Sequence, residues 1–452
     1  MTAFDKASNY SKKFGIDECE IVFVKKEITT IRITDSEIAE IKQNFKENFG
    51  VRVIHQKKIT SFQTSEQNDI ESMIENAPHT STYLKPLRFW KSLPSKLHYK
   101  EIPDTFDARL DHISGIKSSD IAQSMINSAL DEKITAISGS LNIVSENFEL
   151  ANSNGLEAND KATYISGIIN TESENGKTPV SGIGQECCRT LKAFDAEKIG
   201  KDAKRMCIES INPKKSNDGT YSIIFEPYSV GELLAFVFAS NFNFKTFSEK
   251  KSCFANKFNT KIASDEFSLI DDPHAKQGLG TKSFDDEGIK TNRNNIIENG
   301  IFKNTFSNLF DSFKENSEST GNALRSGSPM GRSSEPIPTS APHNLKVKNG
   351  STSQDEMIKD TKQGLLVGRL WYTYAVNPIK GDFSCTARSG IRIIENGEIK
   401  NPGKTVRIIH NLPALLQNIS AIGDNQKNVL QWASLPSITP SIKVEGIKAI
   451  SI

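Results

Sequence analysis

The sequence predicts an α+β fold of three units: a small N-terminal α/β unit, a central α/β unit and a large antiparallel β-rich C-terminal domain that an apolar helix opens. The chain has 452 residues, which is too many for one ordinary hydrophobic core. Apolar residues that alternate along the chain favour strands, and those spaced by three and four favour helices. Polar stretches with Gly, Ser or Pro divide these runs into units.

The N-terminal unit, residues 1–80, begins with a predicted helix. Apolar residues recur at helical spacing from Ala3 to Phe14, and Gly15 follows as a C-cap. The segment 20–34 is rich in Ile, Val and Thr with rough alternation. Such a composition is typical of strands.

A hairpin and a second helix complete this unit. The segment 50–64 alternates and predicts two strands that turn at His55–Lys58. A short helix is predicted over residues 68–77, ended by Pro78. Residues 81–105 contain prolines but few periodic signals, so they are interpreted as a connector.

The central unit is predicted over residues 106–215. Helical periodicity indicates helices over 118–130 and 193–211. Strands are predicted within 134–155, where the polar cluster Asn152–Gly155 forms a hairpin turn. A polar linker then leads into the last domain.

The C-terminal domain is predicted over residues 220–452. It opens with a strand at 222–227 and a strongly apolar helix at 228–242. Short segments such as 390–399, separated by Gly, Asn and Asp, indicate an antiparallel β-rich domain. The Ser-, Gly- and Pro-rich stretch 312–342 is interpreted as a flexible loop over a functional cleft or as a disordered segment.

Charge and cysteine usage exclude several classes of protein. The chain has 56 basic and 55 acidic residues that are interleaved, so nucleic acid is not expected as a partner. The six cysteines are scattered without a CxxC pair, which argues against a zinc ribbon and favours reduced thiols. The N-terminus lacks the pattern of a signal peptide and no apolar run of about 18 residues occurs. We therefore expect a soluble cytoplasmic protein with no membrane partner.

The motifs of common hydrolases are missing from the sequence. The seven histidines include no pair at i, i+4, so no helix can present two imidazoles on one face. No GxSxG elbow, protease cysteine signature or phosphate-binding loop occurs. His274 stands beside Asp271 and Asp272 and could mimic a ligand set. A turn that begins at Asp-Asp-Pro is the better interpretation of these three residues.

A series of short motifs resembles one known family. The longest is LIDDPHAKQGLGTKSFDDEGIKT at 269–291, and STGNALR at 319–325, GDFS at 381–384 and IENGEI at 394–399 follow in family order. FGVRVI at 49–54 extends the match towards the N-terminus. Together these motifs resemble the TldD/PmbA family, long labelled modulators of DNA gyrase and understood as peptidases. The resemblance covers nearly the whole chain.

The resemblance also implies a type within the family. TldD-type subunits carry HExxxH on the apolar helix, and its two histidines hold zinc together with a cysteine near the C-terminus. Here the helix reads GELLAF, so Gly231 and Phe236 stand in place of histidines and only Glu232 matches. Residues 428–441 contain no cysteine. The chain therefore resembles the PmbA type, also called TldE, which binds no metal and pairs with a zinc-bearing TldD-type subunit.

Two expectations about site residues follow. Glu232, the sole remnant of the motif, is interpreted as a helix-surface or dipole residue rather than a general base, because no metal-bound water lies beside it. STGNALR is the best candidate for contact with a peptide substrate, since it offers hydroxyls, an amide and a guanidinium group. The candidate residues are Ser319, Thr320, Gly321, Asn322 and Arg325.

Three functional hypotheses stay open at this point. The leading one is a non-catalytic subunit of a cytosolic zinc metalloprotease pair that processes unfolded peptides, with a homodimer as an alternative assembly. The second is a metallopeptidase in its own right that binds metal through His274, Asp271 and Asp272. The third is a regulatory or interaction protein that has no proteolytic partner.

Overall fold

The computed structural model describes residues 3–95 and 98–452. Its N-terminal half contains one six-stranded antiparallel sheet, in the order β3-β2-β1-β4-β5-β6. Because β1 pairs with both β2 and β4, the predicted N-terminal and central units share this sheet. The strands are β1 (Glu18–Thr34), β2 (Glu37–His55), β3 (Lys58–Thr64), β4 (Ala136–Asn152), β5 (Glu157–Ser173) and β6 (Val180–Cys188).

Four helices cover one face of this sheet. They are α1 (Ala3–Phe14), α2 (Asp69–Ser81), α3 (Gly115–Ala129) and α4 (Ala196–Ile208). The prediction that Pro78 ends the second helix is wrong, because α2 continues to Ser81. Pro78 lies in the last turn, where a missing N–H removes a single i→i−4 hydrogen bond and the helix tolerates the loss.

Strand β1 is buried on both faces, which decides how the two halves of the molecule meet. Cys19 and Ile21 point towards the helices and pack in a core with Ile74 of α2. Val22 and the residues that alternate with it point the other way and pack against Phe284 of the C-terminal domain. The period of two along the strand thus places one set of side chains in each core.

The C-terminal domain is rich in strands, as predicted. Its strands are β7 (Gly219–Phe225), β8 (Leu269–Asp271), β9 (Asn294–Glu298), β10 (Ile301–Phe302), β11 (Ala323–Leu324), β12 (Thr339–Ser340), β13 (Leu345–Val347), β14 (Gln363–Val367), β15 (Arg369–Asn377), β16 (Asp382–Ser389), β17 (Arg392–Glu395), β18 (Glu398–Pro402), β19 (Val406–Asn411), β20 (Ile419–Ile422), β21 (Lys427–Leu430), β22 (Pro436–Thr439) and β23 (Ile442–Ser451). Its helices are α5 (Pro227–Leu233), α6 (Phe244–Ser248), α7 (Leu309–Lys314), α8 (Gln354–Lys359) and α9 (Leu412–Gln417).

These strands form three sheets. A nine-stranded sheet runs in the order β15-β16-β19-β23-β7-β14-β17-β18, with β20 paired to β23. A six-stranded sheet runs β10-β9-β8-β13-β22-β21, and β11 pairs with β12. Pairing is antiparallel except between β7 and β14 and between β13 and β22. The largest core of the molecule lies between the first two sheets and includes Phe242, Phe254 and Phe302.

Two loops of this domain test predictions made from turn residues. IENGEI forms the tight turn between β17 and β18, where Asn396 has φ of 51° and Gly397 of 80°, as an Asn-Gly hairpin requires. The stretch 312–342 contains β11 and β12, which pair with each other, and Asn322 and Arg325 are buried. The predictions of flexibility and of disorder are therefore wrong, because side chains of this stretch anchor it to both halves of the molecule. Its position over a functional cleft stays a prediction.

Within the described ranges, no helix is both long and apolar enough to cross a membrane.

Candidate functional site

Helix α5 and its continuation contain the segment GELLAF, on which the family resemblance places a metal-binding motif. Pro227 stands at its first turn, where a missing N–H costs nothing. After Leu233 the chain continues as a π-helical turn over Leu234–Phe238 and a 3₁₀ turn over Ala239–Phe242. The apolar side chains of this segment pack into the largest core, so its hydrophobicity serves the fold.

Gly231, at the first of the two histidine positions, lies in tight contact with the neighbouring strand. A Cβ atom at this residue would come within 2.6 Å of Val429 Cγ1, and Val429 belongs to β21. The carbonyl oxygen of Gly231 also accepts a hydrogen bond from Gln431 Nε2 at 2.9 Å. A Cβ atom here, and so an imidazole, would have to displace the side chain of Val429.

Glu232 is buried, with 4% of its surface exposed, so the expectation of a surface or dipole residue is wrong. The helix turns this side chain inwards, where its Oε2 accepts a hydrogen bond from the backbone N–H of Leu370 at 2.6 Å. Burial raises the pKa of Glu232 to about 8, against the opposing effects of this hydrogen bond and of Arg369. A single donor does not replace the hydration of a carboxylate, so the proton is retained.

Phe236 fills the second histidine position and is partly exposed on the turn that follows α5. In the part of the chain that the structure describes, no three His, Cys, Asp or Glu side chains come together as metal ligands. The residues at the positions of the motif are Gly231, which is packed closely against Val429, the buried acid Glu232, and Phe236. They do not fit a zinc ion.

Asp271, Asp272 and His274, the alternative ligand set, each make hydrogen bonds to a different partner. Their side chains do not converge on one point. Asp271 is fully buried and accepts from the backbone N–H groups of His343 and Asn344 at 2.7 and 3.0 Å. Asp272 accepts from the backbone N–H of His274 at 3.2 Å, as in an Asx turn. The imidazole Nε2 of His274 lies 3.2 Å from a threonine hydroxyl. The turn interpretation therefore describes these residues.

The STGNALR candidates make internal contacts. Asn322 Nδ2 donates to Asp271 Oδ2 at 2.5 Å, and Thr320 Oγ1 donates to Asn322 Oδ1 at 2.8 Å. The hydroxyl of Ser319 donates to the carbonyl oxygen of Ser307 at 3.1 Å. Gly321, with φ of 72°, accepts a hydrogen bond at its carbonyl oxygen from a buried histidine. These polar groups make hydrogen bonds to other parts of the protein, and these bonds fix the conformation of the segment 319–325.

Arg325 joins the two halves of the molecule. Its side chain is fully buried, its Nη2 lies 2.6 Å from Glu20 Oε1 of β1, and its Nε donates to the carbonyl oxygen of Asp286 at 2.9 Å. Glu20 also pairs with Arg52 of β2 at 2.8 Å, and Arg52 pairs with Glu287 at 2.8 Å. Four charged side chains thus alternate in sign across the interface.

A second set of charges continues this arrangement. Asp286 Oδ1 lies 2.8 Å from Lys282 Nζ and 2.9 Å from Arg332 Nε. Burial opposes ionisation of Asp286, but these two cations outweigh it and hold its pKa well below the usual range. The backbone N–H of Arg332 donates to Glu146, which pairs with Lys26 at 3.2 Å.

We name this arrangement the interdomain ion network. It consists of Glu20, Lys26, Arg52, Glu146, Lys282, Asp286, Glu287, Arg325 and Arg332. Sequence reasoning assigned no role to most of these residues. The available signal was the carboxylate run of FDDEG together with an arginine in an otherwise apolar strand, since buried charges need partners.

Comparisons with known proteins agree with this architecture. Residues 218–451 match the domain described as PmbA/TldA metallopeptidase C-terminal domain, and residues 19–80 match PmbA/TldA metallopeptidase domain 1. The solved structure of TldE from Thermococcus kodakarensis has a TM-score of 0.89 at 25% identity and covers 99% of this chain and 100% of that one. A metalloprotease of Methanocaldococcus jannaschii is 25% identical over 417 residues, 88% of this chain and 87% of that protein. Metalloprotease PmbA of Escherichia coli O157:H7 is 25% identical over 252 residues, 55% of this chain and 51% of that protein.

Proposed function

The chain belongs to the TldD/PmbA metallopeptidase family, and from this premise we propose that it is the non-catalytic subunit of a cytosolic zinc metalloprotease pair. A TldD-type subunit with an intact HExxxH motif carries the zinc and cleaves the substrate. This chain binds no metal, and the pair processes unfolded peptides.

One observation carries the proposal: the packing around Gly231, where the resemblance places a metal-binding histidine, leaves no room for an imidazole. The missing Cβ of Gly231 leaves room for Val429, so the strand and helix are closer than a histidine would allow. Glu232, which would act on a metal-bound water, is instead buried with a backbone donor. The helix packs in the core and carries neither histidine of the HExxxH motif.

An apolar strand face supports the pairing part of the proposal. Strand β15 is the last strand at one end of the nine-stranded sheet. Tyr372, Tyr374 and Val376 are exposed at alternate positions along it, and Ile379 is exposed in the turn that follows. A contiguous apolar face on a sheet edge is typical of an interaction surface. We assign this face to the zinc-bearing subunit.

The cytosolic part rests on the cysteines. All six lie in the described ranges and are free thiols, and five of them are buried. Burial raises the pKa of Cys207 to about 11, so this thiol stays protonated and unreactive at neutral pH. Such usage is typical of a reducing compartment.

The pairing is tested by co-expression with a TldD-type subunit, followed by purification through a tag on that subunit. The wild-type chain should co-purify in equal amount. Replacing Tyr372 and Val376 by Ser should abolish co-purification, because the change removes apolar area from the proposed contact. The control Ile116→Ser alters an equally exposed apolar residue on α3 and should leave the pairing intact.

The division of labour is tested by elemental analysis after dialysis. The chain alone should contain almost no zinc, and the purified pair should contain about one zinc per catalytic subunit. Peptidase activity of the pair should disappear when the partner's motif is mutated. About one zinc per chain on the isolated protein would overturn the proposal and favour an enzyme with other ligands.

A further inference from the structure

A polar cleft lies between strands β1 and β2 and the loop of residues 327–334, where the two halves of the molecule meet. Its volume is ≈ 400 Å³, and sites for small molecules usually enclose roughly 300–1,000 Å³. Ammonium, amide and hydroxyl groups form most of its described lining, and no aromatic ring contributes to that lining. The polar groups include those of Lys26, Lys46, Asn48, Ser65 and Ser328. Such a wall suits a small polar molecule.

The strand register places two lysines side by side in this cleft. Lys26 of β1 and Lys46 of β2 stand directly opposite each other, so both side chains lie on the same face of the sheet. Like charges at opposed positions of two strands repel each other and destabilise the sheet. The next pair along, Lys25 and Glu47, lies on the other face and forms an ion pair of 2.7 Å. The sheet therefore compensates its charges on that face and concentrates positive charge in the cleft.

Lys26, at the inner end of the cleft, is only partly compensated. It is 5% exposed, its Nζ donates to the carbonyl oxygen of Met330 at 2.7 Å, and Glu146 lies 3.2 Å away. Glu146 also lies 3.5 Å from Arg332 Nη1, so one carboxylate serves two cations. Burial lowers the pKa of Lys26, and the charges of Arg332 and Lys46 add to this effect against the charge of Glu146. An anion beside Lys26 would relieve this repulsion.

Several other polar groups on the lining are free to bind a ligand. Lys46 is exposed and forms no ion pair with the residues that the structure describes. The side chains of Asn48 and Ser328 likewise make no hydrogen bond within the described ranges. A Cβ atom at Gly327 would come within 2.3 Å of Lys26 Nζ, so the glycine keeps the space beside that ammonium group open. Ammonium, amide and hydroxyl donors thus meet in one cleft.

These donors match a phosphate monoester better than a carboxylate. A phosphate monoester carries close to two negative charges at neutral pH and has three acceptor oxygens, and lysine binds it as a point charge. A carboxylate is bound best by the planar fork of an arginine. The guanidinium group on the described lining, that of Arg332, is already paired with Asp160 at 2.7 Å and Asp286 at 2.9 Å. Towards the other end of the cleft, Ser65 Oγ lies 3.4 Å from the carboxylate of Glu66, so the positive end is at the two lysines.

We propose that this cleft binds a small phosphorylated polyol, with its phosphate group between the ammonium groups of Lys26 and Lys46 and its hydroxyl groups against Asn48 and Ser65. The hydroxyl of Ser328 donates to a phosphate oxygen. Because strands of one half and a loop of the other form the walls, the bound molecule holds the two halves together and stabilises the folded chain. The site is independent of the proposed pairing with a zinc-bearing subunit.

The experiment measures binding to the full-length chain by isothermal titration calorimetry at constant ionic strength. The probes are glycerol 3-phosphate, inorganic phosphate, glycerate and glycerol. Glycerol 3-phosphate should bind with a Kd below about 1 mM. Inorganic phosphate should bind more weakly because it lacks the hydroxyl groups, and glycerate should bind at least about tenfold more weakly because its carboxylate has less charge and fewer acceptor oxygens. Glycerol alone should not bind. This comparison uses the unaltered protein, so folding is constant.

Three variants locate the binding. Lys46→Gln removes one ammonium group and should weaken binding of glycerol 3-phosphate at least about tenfold, because a hydrogen bond to a charged group is lost. Ser328→Ala removes one neutral donor and should weaken it about threefold. Lys42→Gln is the matched control: it removes the same charge from the same face of β2, outside the cleft, and should bind as the wild type does.

Thermal melts separate binding from folding. Without ligand, Lys46→Gln should melt no lower than the wild type, because it relieves the repulsion with Lys26. Glycerol 3-phosphate should raise the Tm of the wild type and of Lys42→Gln but leave that of Lys46→Gln almost unchanged.

Three outcomes would overturn the inference: no binding of glycerol 3-phosphate at about 10 mM, equal affinity for glycerol 3-phosphate and glycerate, or equal weakening by Lys46→Gln and Lys42→Gln. The last result would show a general effect of net charge. Inorganic phosphate that binds as tightly as glycerol 3-phosphate would contradict the contacts with hydroxyl groups. A Lys46→Gln variant that melts well below the wild type would contradict the repulsion between the two lysines.

Discussion

Helix α5 with its continuation and the interdomain ion network accommodate buried acidic side chains in opposite ways. The helix has an apolar surface, and its one carboxylate, Glu232, lies among apolar neighbours with a single donor. The network buries acids and bases in alternation, so that each carboxylate has a cation within 3.2 Å. A buried acid thus stays protonated in one region, and buried acids are ionised beside cations in the other.

The difference shows that polar motifs are poor guides to the chemistry of this chain. STGNALR and FDDEG contain the residue types of an active site. In the structure, however, Asn322, Arg325 and Asp286 make hydrogen bonds and ion pairs to other residues of the chain. The helix on which the family resemblance places a metal motif contributes packing to the largest core. Removing one member of such a set destabilises the fold, because it leaves another charge buried and unpaired.

The largest effect should follow from breaking the network. Arg325→Met removes the cation between Glu20 and Asp286 while keeping much of the side-chain volume. We expect a loss of about 3–5 kcal/mol in the free energy of unfolding, the usual result when one member of a buried ion set is removed. Urea denaturation followed by circular dichroism measures it.

The matched control removes an exposed ion pair of the same domain. Lys261 and Asp265 lie 2.7 Å apart, and their side chains are 58% and 77% exposed. Lys261→Met should change the urea midpoint very little, because solvent screens such a pair. Similar midpoints for both variants would show that the network contributes no more than a surface pair.

A pH-dependent effect should distinguish the isolated carboxyl. The pKa of Glu232 is raised to about 8, so the folded chain binds this proton more tightly than the unfolded chain does. Its contribution is complete below about pH 4.5 and is lost as the pH rises towards 8. Glu232→Gln keeps an acceptor for the Leu370 N–H and removes the titration. The variant should therefore gain on the order of 2–4 kcal/mol over wild type between pH 5 and pH 8.

Measurement of unfolding by urea at several pH values checks this expectation. Wild type and variant share the other buried carboxyls, including Asp271, whose pKa burial raises to about 7. Their difference isolates Glu232. Tyr228 and Cys385 lie in the field of Glu232, but burial raises the pKa of both groups far above pH 8, so neither titrates in the measured range in either protein. A difference that stays flat with pH would show that Glu232 is ionised throughout.

The fold could be predicted from the sequence where local rules decide it. The Asn-Gly turn at 396 and 397 needs left-handed backbone that these residues adopt readily, and the apolar run 228–242 could only be a buried helical segment. Strand β2 begins at Glu37, well before the predicted start. The prediction missed residues 37–48 because most of them are polar and exposed. No hydrophobic alternation marks such a strand edge.

The candidate site was harder to predict because burial depends on long-range pairing. Glu20 and Arg325 are 305 positions apart, and only the two-sided burial of β1 brings them together. The orientation of Glu232 depends on where Leu370 of β15 passes the helix. Spacing within a motif contains no information about either contact. The absence of an HExxxH motif, in contrast, is visible in the sequence, because residue identity alone decides it.

A smaller effect should come from the close approach at Gly231. Gly231→Ala improves helix propensity by up to about 1 kcal/mol, but the new methyl group meets Val429 at 2.6 Å. Valine on a strand is stiff, so we expect a net loss of about 1–2 kcal/mol. Gly115→Ala, at the start of α3 with open space around it, is the control and should be neutral or slightly stabilising. Thermal melts of both variants measure the difference, and Val429→Ala should rescue Gly231→Ala.

The smallest effect should follow from restoring one histidine on the helix. Phe236 is 37% exposed, so Phe236→His removes only part of its apolar contact and should cost less than about 1 kcal/mol. The variant should still bind almost no zinc, because Gly231 and residues 428–441 supply neither of the other two ligands and a structural or catalytic zinc site needs three or four. Elemental analysis beside a thermal melt tests both statements. Stoichiometric zinc in this single variant would mean that the helix retains a nearly complete metal site. A single residue would then separate this helix from a zinc-binding one.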